Sequence, residues 1–346
     1  MLVREVKEIA RQWVQEEAVN LPGFYGAFFI GSINWMDDDA AFPLTSDVDI
    51  MIALENYNEY PEYKKVRYQN IILEIATKSK EEVKDAETVL SNYRYAAHFT
   101  RPNIILDPTD HLSRIRTVVS KEYARRKWVH KRVVDAHTWA LISSERVATL
   151  TEQVHHTFPW LYPVTILGHV PLIADLQNPT VRKSLVAGRA VLERYDQLAI
   201  HESILDILGS THMNHEIVEA HLVSCIEMFN VAKDYVKTPF FQSTLISEDT
   251  RSIAIDGSRE IIGMGYHREA MAWIAFIQLL CQKALDNDAP KEVQQQFAPA
   301  FGRMLADLGV ATAADRQQRI EQIKQLGPPL MEVAETIIAN NPNILE

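Results

Sequence analysis

Two acidic residues, Asp47 and Asp49, alternate with apolar residues in the segment Ser46-Asp47-Val48-Asp49-Ile50. Because side chains alternate between the two faces of a β-strand, a strand here turns both carboxylates to one face and Val48 and Ile50 to the core. Two carboxylates this close repel each other, and a divalent cation between them favours the ionised pair. Oxygen ligands on short side chains suit Mg²⁺, which often takes further ligands from substrate phosphates. The pair therefore predicts a metal site for nucleotide chemistry.

A third acidic residue, Glu74, lies inside the aliphatic run from Ile71 to Ile75. An ionisable side chain among aliphatic neighbours requires a polar or charged partner, because burying it alone is costly. If this run forms a strand beside the acidic pair, Glu74 can reach the same cation.

Gly31 and Ser32 follow a short apolar run, Gly26 to Ile30. Glycine allows close backbone approach, while backbone N–H groups and the serine hydroxyl can receive phosphate oxygens. We also expect Ser46, just before the acidic pair, to contact the nucleotide. A phosphate cradle with three acids matches in-line phosphoryl or nucleotidyl transfer, in which metal ions hold the attacking and leaving oxygens.

These residues resemble the nucleotidyltransferases of the DNA polymerase beta type, marked by Gly-Ser, a spacer, Asp-X-Asp and a distant third carboxylate. The resemblance covers residues 24 to 110. One departure is the spacer from Ile33 to Ser46, which is slightly longer than the commonest form and contains Asp37-Asp38-Asp39. The layout is similar to that of bacterial aminoglycoside (kanamycin) and lincosamide nucleotidyltransferases, which have a helical domain after the catalytic domain.

The resemblance implies that Asp47 and Asp49 bind Mg²⁺, with a pair of ions expected, and that Glu74 completes the site or acts as the base. It also implies an NTP donor, with ATP expected, and release of pyrophosphate. The expected acceptor is a hydroxyl group of a small molecule, an antibiotic being one example. Two alternatives stay open: a protein-modifying, AMPylating enzyme of the toxin–antitoxin type, and a nucleotide-binding protein without turnover.

The elements that must position these residues are predicted from apolar patterning. Runs typical of strands are Gly26 to Ile30, Val48 to Leu54, Tyr68 to Thr77 and Asn103 to Leu106, with helical spacing from Lys80 to Leu90. Strand signals end near Leu112, and period-3.6 patterning follows. We therefore expect an α+β fold, with a small mixed-sheet nucleotidyltransferase domain (residues 1–118) followed by an all-α helical domain for the substrate (residues 119–346).

Long helical segments are predicted at Arg182 to Leu208, Glu216 to Tyr235 and Arg268 to Asp286. Prolines punctuate the helical part and predict breaks between helices. They are Pro159, Pro163, Pro171, Pro179 and the pair Pro328-Pro329, which we expect to precede a final helix from Leu330 to Ala339.

Two features outside the acidic constellation are candidate contacts for the acceptor or the phosphates. His267 and Arg268 follow the glycines of Gly263-Met264-Gly265 at a predicted helix start, where an anion can bind, although a capped helix with surface charges is the favoured alternative. The basic segment Lys121 to Arg132 predicts a solvated helix face more strongly than a phosphate site.

His215 and His221 are six residues apart, which places them on different helix faces, so we assign no zinc.

Bulk properties exclude several classes of protein. A formal net charge of −11 disfavours a long nucleic acid as partner. The two cysteines, Cys225 and Cys281, suggest no disulfide framework and fit a reducing cytoplasm. The most apolar segment, Ala270 to Cys281, is shorter than the ~20 residues that span a bilayer, so we expect no membrane insertion. The expected partners are the NTP and the acceptor, with a homodimer left open.

Overall fold

The computed structural model describes residues 1–55, 57, 63–148 and 160–346. In these residues the fold is α+β, as predicted, with a five-stranded sheet in the first part of the chain and helices after it. The chain divides into two compact units. One comprises Met1–Asp135, Leu176–Thr180 and Asn341–Glu346, and the other comprises Ala136–Asp175 and Val181–Asn340. The domain boundary expected between residues 118 and 119 stays a prediction.

The sheet of the first unit is mixed. Its strands are β1 (Phe24–Phe29), β2 (Val48–Leu54), β3 (Tyr63–Tyr68), β4 (Ile71–Ser79) and β5 (Ile104–Leu106), in the order β3-β4-β2-β1-β5. β2 and β4 are parallel, and the other neighbouring pairs are antiparallel. The parallel pair matters for the site because it places Asp49 directly opposite Glu74.

Each face of the sheet packs on its own apolar layer. The face with Val48, Ile50 and Ile52 packs on the buried side of α1 (Val3–Glu16). The opposite face, with Met51 and Ala53, packs on the layer of α2 (Ala86–Ser91) and α3 (His111–Glu122). Asp47 and Asp49 have the parity of Met51, so they lie on this second face, at the end of β2 where the strand begins.

Two predictions for the strand region were wrong in detail. The run from Tyr68 to Thr77 does not form one strand, since Tyr68 ends β3 and Gln69 adopts a left-handed conformation (φ +52°) in the turn before β4. The helix predicted from Lys80 to Leu90 is divided into a 3-10 helix, Lys80–Val83, and α2. The division falls at Asp85, whose carboxylate accepts the Thr88 N–H at 2.7 Å and so caps a new helix.

From Leu112 onward the described residues form helices and a single isolated β-bridge, between Arg125 and Leu345. α4 (Arg126–Ala148) begins in the first unit and continues into the second. The second unit also contains α5 (Leu161–Ala174), α6 (Ser184–Arg194), α7 (Leu198–Leu208), α8 (His215–Tyr235), a π-helix (Ser252–Asp256), α9 (Gly257–Gly263), α10 (His267–Asp288), α11 (Lys291–Asp307) and α12 (Ala313–Asn340). The segments predicted at Glu216 to Tyr235 and Arg268 to Asp286 are therefore helices.

The predicted helix from Arg182 to Leu208 is two helices, because Asp196 takes a left-handed conformation (φ +57°) between α6 and α7. Pro179 lies between helices, as expected, whereas Pro171 lies within α5. Pro159 lies outside the described residues.

The break predicted at Pro328-Pro329 was also wrong, since α12 runs through both prolines. Both rings are exposed, and so are Lys324 and Gln325, whose carbonyls lose their helical N–H donors. Water can satisfy those carbonyls, while the apolar stripe continues on the buried side through Leu326. Packing of this stripe outweighs the low helix propensity of the two prolines.

No helix among the described residues is both long enough and apolar enough to cross a membrane.

Candidate active site

Three carboxylates converge on one face of the sheet. Asp47 immediately precedes β2, Asp49 is its second residue, and Glu74 stands opposite Asp49 on the parallel strand β4. One carboxylate oxygen from each of the three lies within 4.8 Å of the other two. Among the described residues, this is the one group of three or more His, Cys, Asp or Glu side chains close enough to hold a metal ion.

The alternation of β2 explains why these acids stay together at the surface of the sheet. Val48 and Ile50 are fully buried on the opposite face, which fixes the strand's orientation. The Asp47 side chain keeps 18% and the Glu74 side chain 16% of its surface exposed. These carboxylates are therefore held by rigid backbone but remain within reach of a ligand.

Gly31 brings the backbone directly against Asp49. Its φ of +65° and ψ of −159° belong to a region that is essentially restricted to glycine. A Cβ atom at this position would lie 1.8 Å from Asp49 Oδ2. The neighbouring Ile30 N–H donates to the Asp49 carbonyl at 3.0 Å. Gly31 therefore lies directly against the second acid of the pair. Its contact with a phosphate stays a prediction.

The two candidate serines, Ser32 and Ser46, lie between Gly31 and Asp49 in sequence. Ser32 begins a 3-10 helix, Ser32–Trp35, directly after Gly31. Ser46 precedes Asp47, and its N–H donates to the Pro43 carbonyl at 3.1 Å. Both residues are half-buried. Their contacts with a nucleotide stay predictions.

The acidic triplet of the spacer contacts helix α1. The Asp38 carboxylate accepts a hydrogen bond from Lys7 Nζ at 2.7 Å, and Asp39 pairs with Arg4. The hydrogen bond from Lys7 holds the pKa of Asp38 below its usual value. A backbone hydrogen bond adds to these contacts, since the Arg4 N–H donates to the Asp38 carbonyl at 3.0 Å. The extra acidic residues therefore attach the spacer to the first turns of α1.

Lys65, which the sequence analysis did not identify, completes the site. Lys65 lies on β3, opposite Glu74 of β4, and it pairs with both Glu74 and Asp47. Its side chain is only 4% exposed. Burial alone would lower the pKa of Lys65, but the negative charges of Asp47, Glu74 and Asp49 raise it above its usual value.

The sequence contained a signal for Lys65 that the strand prediction missed. The segment Tyr63–Tyr68 (YKKVRY) alternates, with Val66 and Tyr68 packed against the apolar layer beneath the sheet. Lys65 therefore belongs to the face that carries Glu74. Three of its six residues are basic, so the segment does not resemble an apolar strand.

His267 and Arg268, the candidate acceptor contacts, both lie in the second unit at the start of α10. The Arg268 guanidinium donates two hydrogen bonds to the Glu202 carboxylate, at 2.8 and 2.9 Å. These bonds raise the pKa of Arg268 above its usual value. The His267 ring lies 6.2 Å from that of His215. A role of either residue toward an acceptor or phosphate stays a prediction.

Much of the basic segment Lys121 to Arg132 is engaged inside the first unit. Arg132 is buried and donates to the carbonyls of Leu90 and Tyr123, at 3.1 and 2.8 Å. Burial lowers the pKa of Arg132. Exposed ion pairs join Arg126 to Glu346 and Lys131 to Glu87.

In the second unit, His221 Nε2 lies 3.0 Å from an Asp307 carboxylate oxygen.

The chain was also compared with known proteins. No protein-family model matches it, and no curated protein matches it. It is similar to the crystal structure of a nucleotidyltransferase-like protein from Exiguobacterium sibiricum 255-15, with 14% sequence identity and a TM-score of 0.29. The match covers 75% of this chain and 91% of that one.

Proposed function

We propose that this chain is a metal-dependent nucleotidyltransferase that moves a nucleoside monophosphate from an NTP to a hydroxyl group. The observation that carries the proposal is the convergence of Asp47, Asp49 and Glu74, whose ligand atoms lie within 4.8 Å of one another. The glycine turn at Gly31 lies directly against one of these acids, Asp49. Carboxylates and a tight backbone turn together suit a phosphate chain and its cation better than either feature alone.

The donor set fits Mg²⁺. All three candidate ligands are carboxylates, which are hard oxygen ligands, and two of them stand on adjacent strands with fixed register. Asp47, Asp49 and Glu74 would hold the ion. When bound, it would supply Lewis-acid stabilisation of charge on the phosphoryl oxygens.

The chain's own residues would bind and orient the reactants. In this proposal the Gly31 and Ser32 N–H groups and the Ser32 hydroxyl donate to the β- and γ-phosphates, and Ser46 contacts the nucleotide. The acceptor oxygen forms a bond to the α-phosphorus, the bond from that phosphorus to the β-phosphate oxygen breaks, and pyrophosphate leaves. Glu74 either accepts the hydroxyl proton or only shares the cation. ATP is the proposed donor, and a small molecule carries the proposed acceptor hydroxyl.

The test is NTP-dependent pyrophosphate release in the presence of Mg²⁺ and a panel of small hydroxyl compounds. We expect Asp49→Asn to lower the rate roughly 100-fold or more, because several kcal/mol of transition-state stabilisation depends on this carboxylate. Asp37→Asn is the matched control, since it removes one exposed carboxylate of the spacer and should leave the rate unchanged. Equal release by the wild type and Asp49→Asn would exclude the proposed reaction.

The acceptor class is tested with the same protein and labelled ATP in a cell lysate. A new labelled compound in the small-molecule fraction, absent with Asp49→Asn, supports the proposed acceptor. Label confined to the protein fraction replaces it with a protein hydroxyl, because the three acids would serve either acceptor alike.

A further inference from the structure

Lys65 places a positive charge among the three carboxylates of Asp47, Asp49 and Glu74. Its ammonium pairs with Asp47 on one side and Glu74 on the other, across three adjacent strands. The Lys65 side chain is 4% exposed, so its ammonium is largely shielded from solvent. An exposed ion pair is worth little, but a buried one is held firmly, since breaking it leaves a charge without compensation.

The charges at this site limit how many divalent ions it can hold. The three carboxylates carry a formal charge of −3, and the Lys65 ammonium brings the formal sum to −2. One divalent cation balances that charge, whereas a second would leave the protein ligands with an excess of positive charge. The ammonium also uses oxygen atoms of Asp47 and Glu74 that are candidate metal ligands.

We propose that Lys65 is a built-in counter-ion that competes with metal for Asp47 and Glu74 and limits the protein's own site to one divalent ion. The proposal rests on the proposed metal-binding role of Asp47, Asp49 and Glu74. It replaces the expected pair of protein-bound ions with one ion and one ammonium group. It also makes Lys65 a positioning residue, because its two contacts hold the carboxylates of neighbouring strands together before any cation binds.

Lys64 provides a matched control on the same strand. It stands opposite Ile75 and therefore points to the other face of the sheet, and it is exposed. Lys64→Met and Lys65→Met make the same chemical change one residue apart. Only Lys65→Met removes a positive charge from beside the three carboxylates. Lys65→Arg retains the charge and separates it from the effect of side-chain shape.

The experiment titrates each protein with Mn²⁺ in the absence of nucleotide, counting bound ions from the electron paramagnetic resonance signal of free Mn²⁺. We expect one ion in the wild type and in Lys64→Met. In Lys65→Met we expect binding at least about tenfold tighter, or a second bound ion, because a repelling charge a few ångströms from a divalent ion has been removed. Lys65→Arg should remain within a few-fold of the wild type. The same affinity and number of ions in Lys65→Met and wild type would overturn the proposal.

Thermal unfolding covers the case in which Lys65→Met folds poorly. Without metal, its three carboxylates repel one another, so Mn²⁺ should raise its melting temperature more than it raises that of the wild type. An equal or smaller rise in Lys65→Met contradicts the proposal. If Lys65→Met needs Mn²⁺ to fold, recovery of its helical circular dichroism signal supports it.

Asp49→Asn separates failure of this proposal from failure of the proposed function. Mn²⁺ binding that is lost in Asp49→Asn but unchanged in Lys65→Met leaves the metal site standing and removes the role of Lys65. Binding in Lys65→Met but not in the wild type supports the competition and contradicts the one-ion site proposed for the wild type. Absence of binding in every variant overturns the proposal for Lys65, and pyrophosphate release by the wild type and Asp49→Asn then decides the proposed function separately.

Discussion

Gly31 lies closer to the Asp49 side chain than a residue with a Cβ atom could. The added atom would lie 1.8 Å from Asp49 Oδ2 and 2.5 Å from its Cγ. The backbone conformation at Gly31, with φ +65°, is itself costly for other residues. A substitution here therefore acts twice, through strain in the turn and through displacement of a carboxylate that we place at the centre of the site.

We expect Gly31→Ala to lower the free energy of unfolding by more than about 2 kcal/mol, the sum of backbone strain and overpacking. It should also weaken Mn²⁺ binding, because the Asp49 carboxylate must move away from the new methyl group. Urea denaturation measures the first effect and Mn²⁺ titration the second.

Gly265→Ala is the control for that prediction. Gly265 also has a positive φ, +90°, but a Cβ atom there would have no neighbour within 4 Å. Its cost should be limited to strain, about 1–2 kcal/mol, with Mn²⁺ binding unchanged. If both glycine variants lose the same stability and both bind Mn²⁺ normally, the contact with Asp49 has no special role.

Helix α12 shows how packing of an element can override local propensity. It continues through Pro328 and Pro329 because its apolar residues recur on the buried side on both sides of the prolines. Gly327, next to them, faces α4. A Cβ atom at Gly327 would lie 2.5 Å from His137 Nε2. The glycine that weakens the helix locally thus allows it to lie close to the neighbouring helix.

We expect Gly327→Ala to destabilise the protein by about 1–3 kcal/mol, although alanine is the better helix former, because the His137 ring must shift. Gly302→Ala makes the same change within α11, where a Cβ atom would meet nothing within 4 Å. It should stabilise by up to about 1 kcal/mol. Chemical denaturation of both variants provides the measurement, and stabilisation by both would show that α4 and α12 are less closely packed than described.

Buried histidines occur in both compact units of the molecule. Burial lowers the pKa of His98 in the first unit to about 4, and it lowers the pKa values of His137 and His221 in the second. His98 Nδ1 is buried and has no hydrogen-bond partner among the described residues. Each of these rings is therefore more easily protonated in the unfolded chain than in the folded protein.

We expect the free energy of unfolding to fall as the pH falls from about 6.5 to about 4. In this window unfolded His98 binds a proton that the folded protein excludes, so unfolding takes up protons and acid favours it. His98 alone would contribute about 3 kcal/mol over the window, at about 1.4 kcal/mol for each pKa unit. Denaturation at several pH values should give a shallower slope for His98→Gln than for the wild type, and parallel slopes would contradict the prediction.

The sequence by itself determined the acidic pair, its strand and the change to helices near Leu112. These features depend on local periodicity: alternation sets the face of Asp47 and Asp49, and period 3.6 marks the helices. Glu74 was recognisable for a similar reason, as a charged residue inside an aliphatic run. The roles that the nucleotidyltransferase resemblance gives these residues are predictions, which pyrophosphate release and Mn²⁺ titration test.

Only the tertiary structure decided which strands are neighbours, and with them the partners of each charge. The parallel register of β2 and β4 sets Asp49 opposite Glu74, and β3 brings in Lys65 from a segment too basic to resemble a strand. The spacer acids contact α1, and α12 passes through two prolines, because contacts distant in sequence outweigh local preference. Local patterning fixes the face of a side chain, but strand pairing and helix packing determine what it meets there.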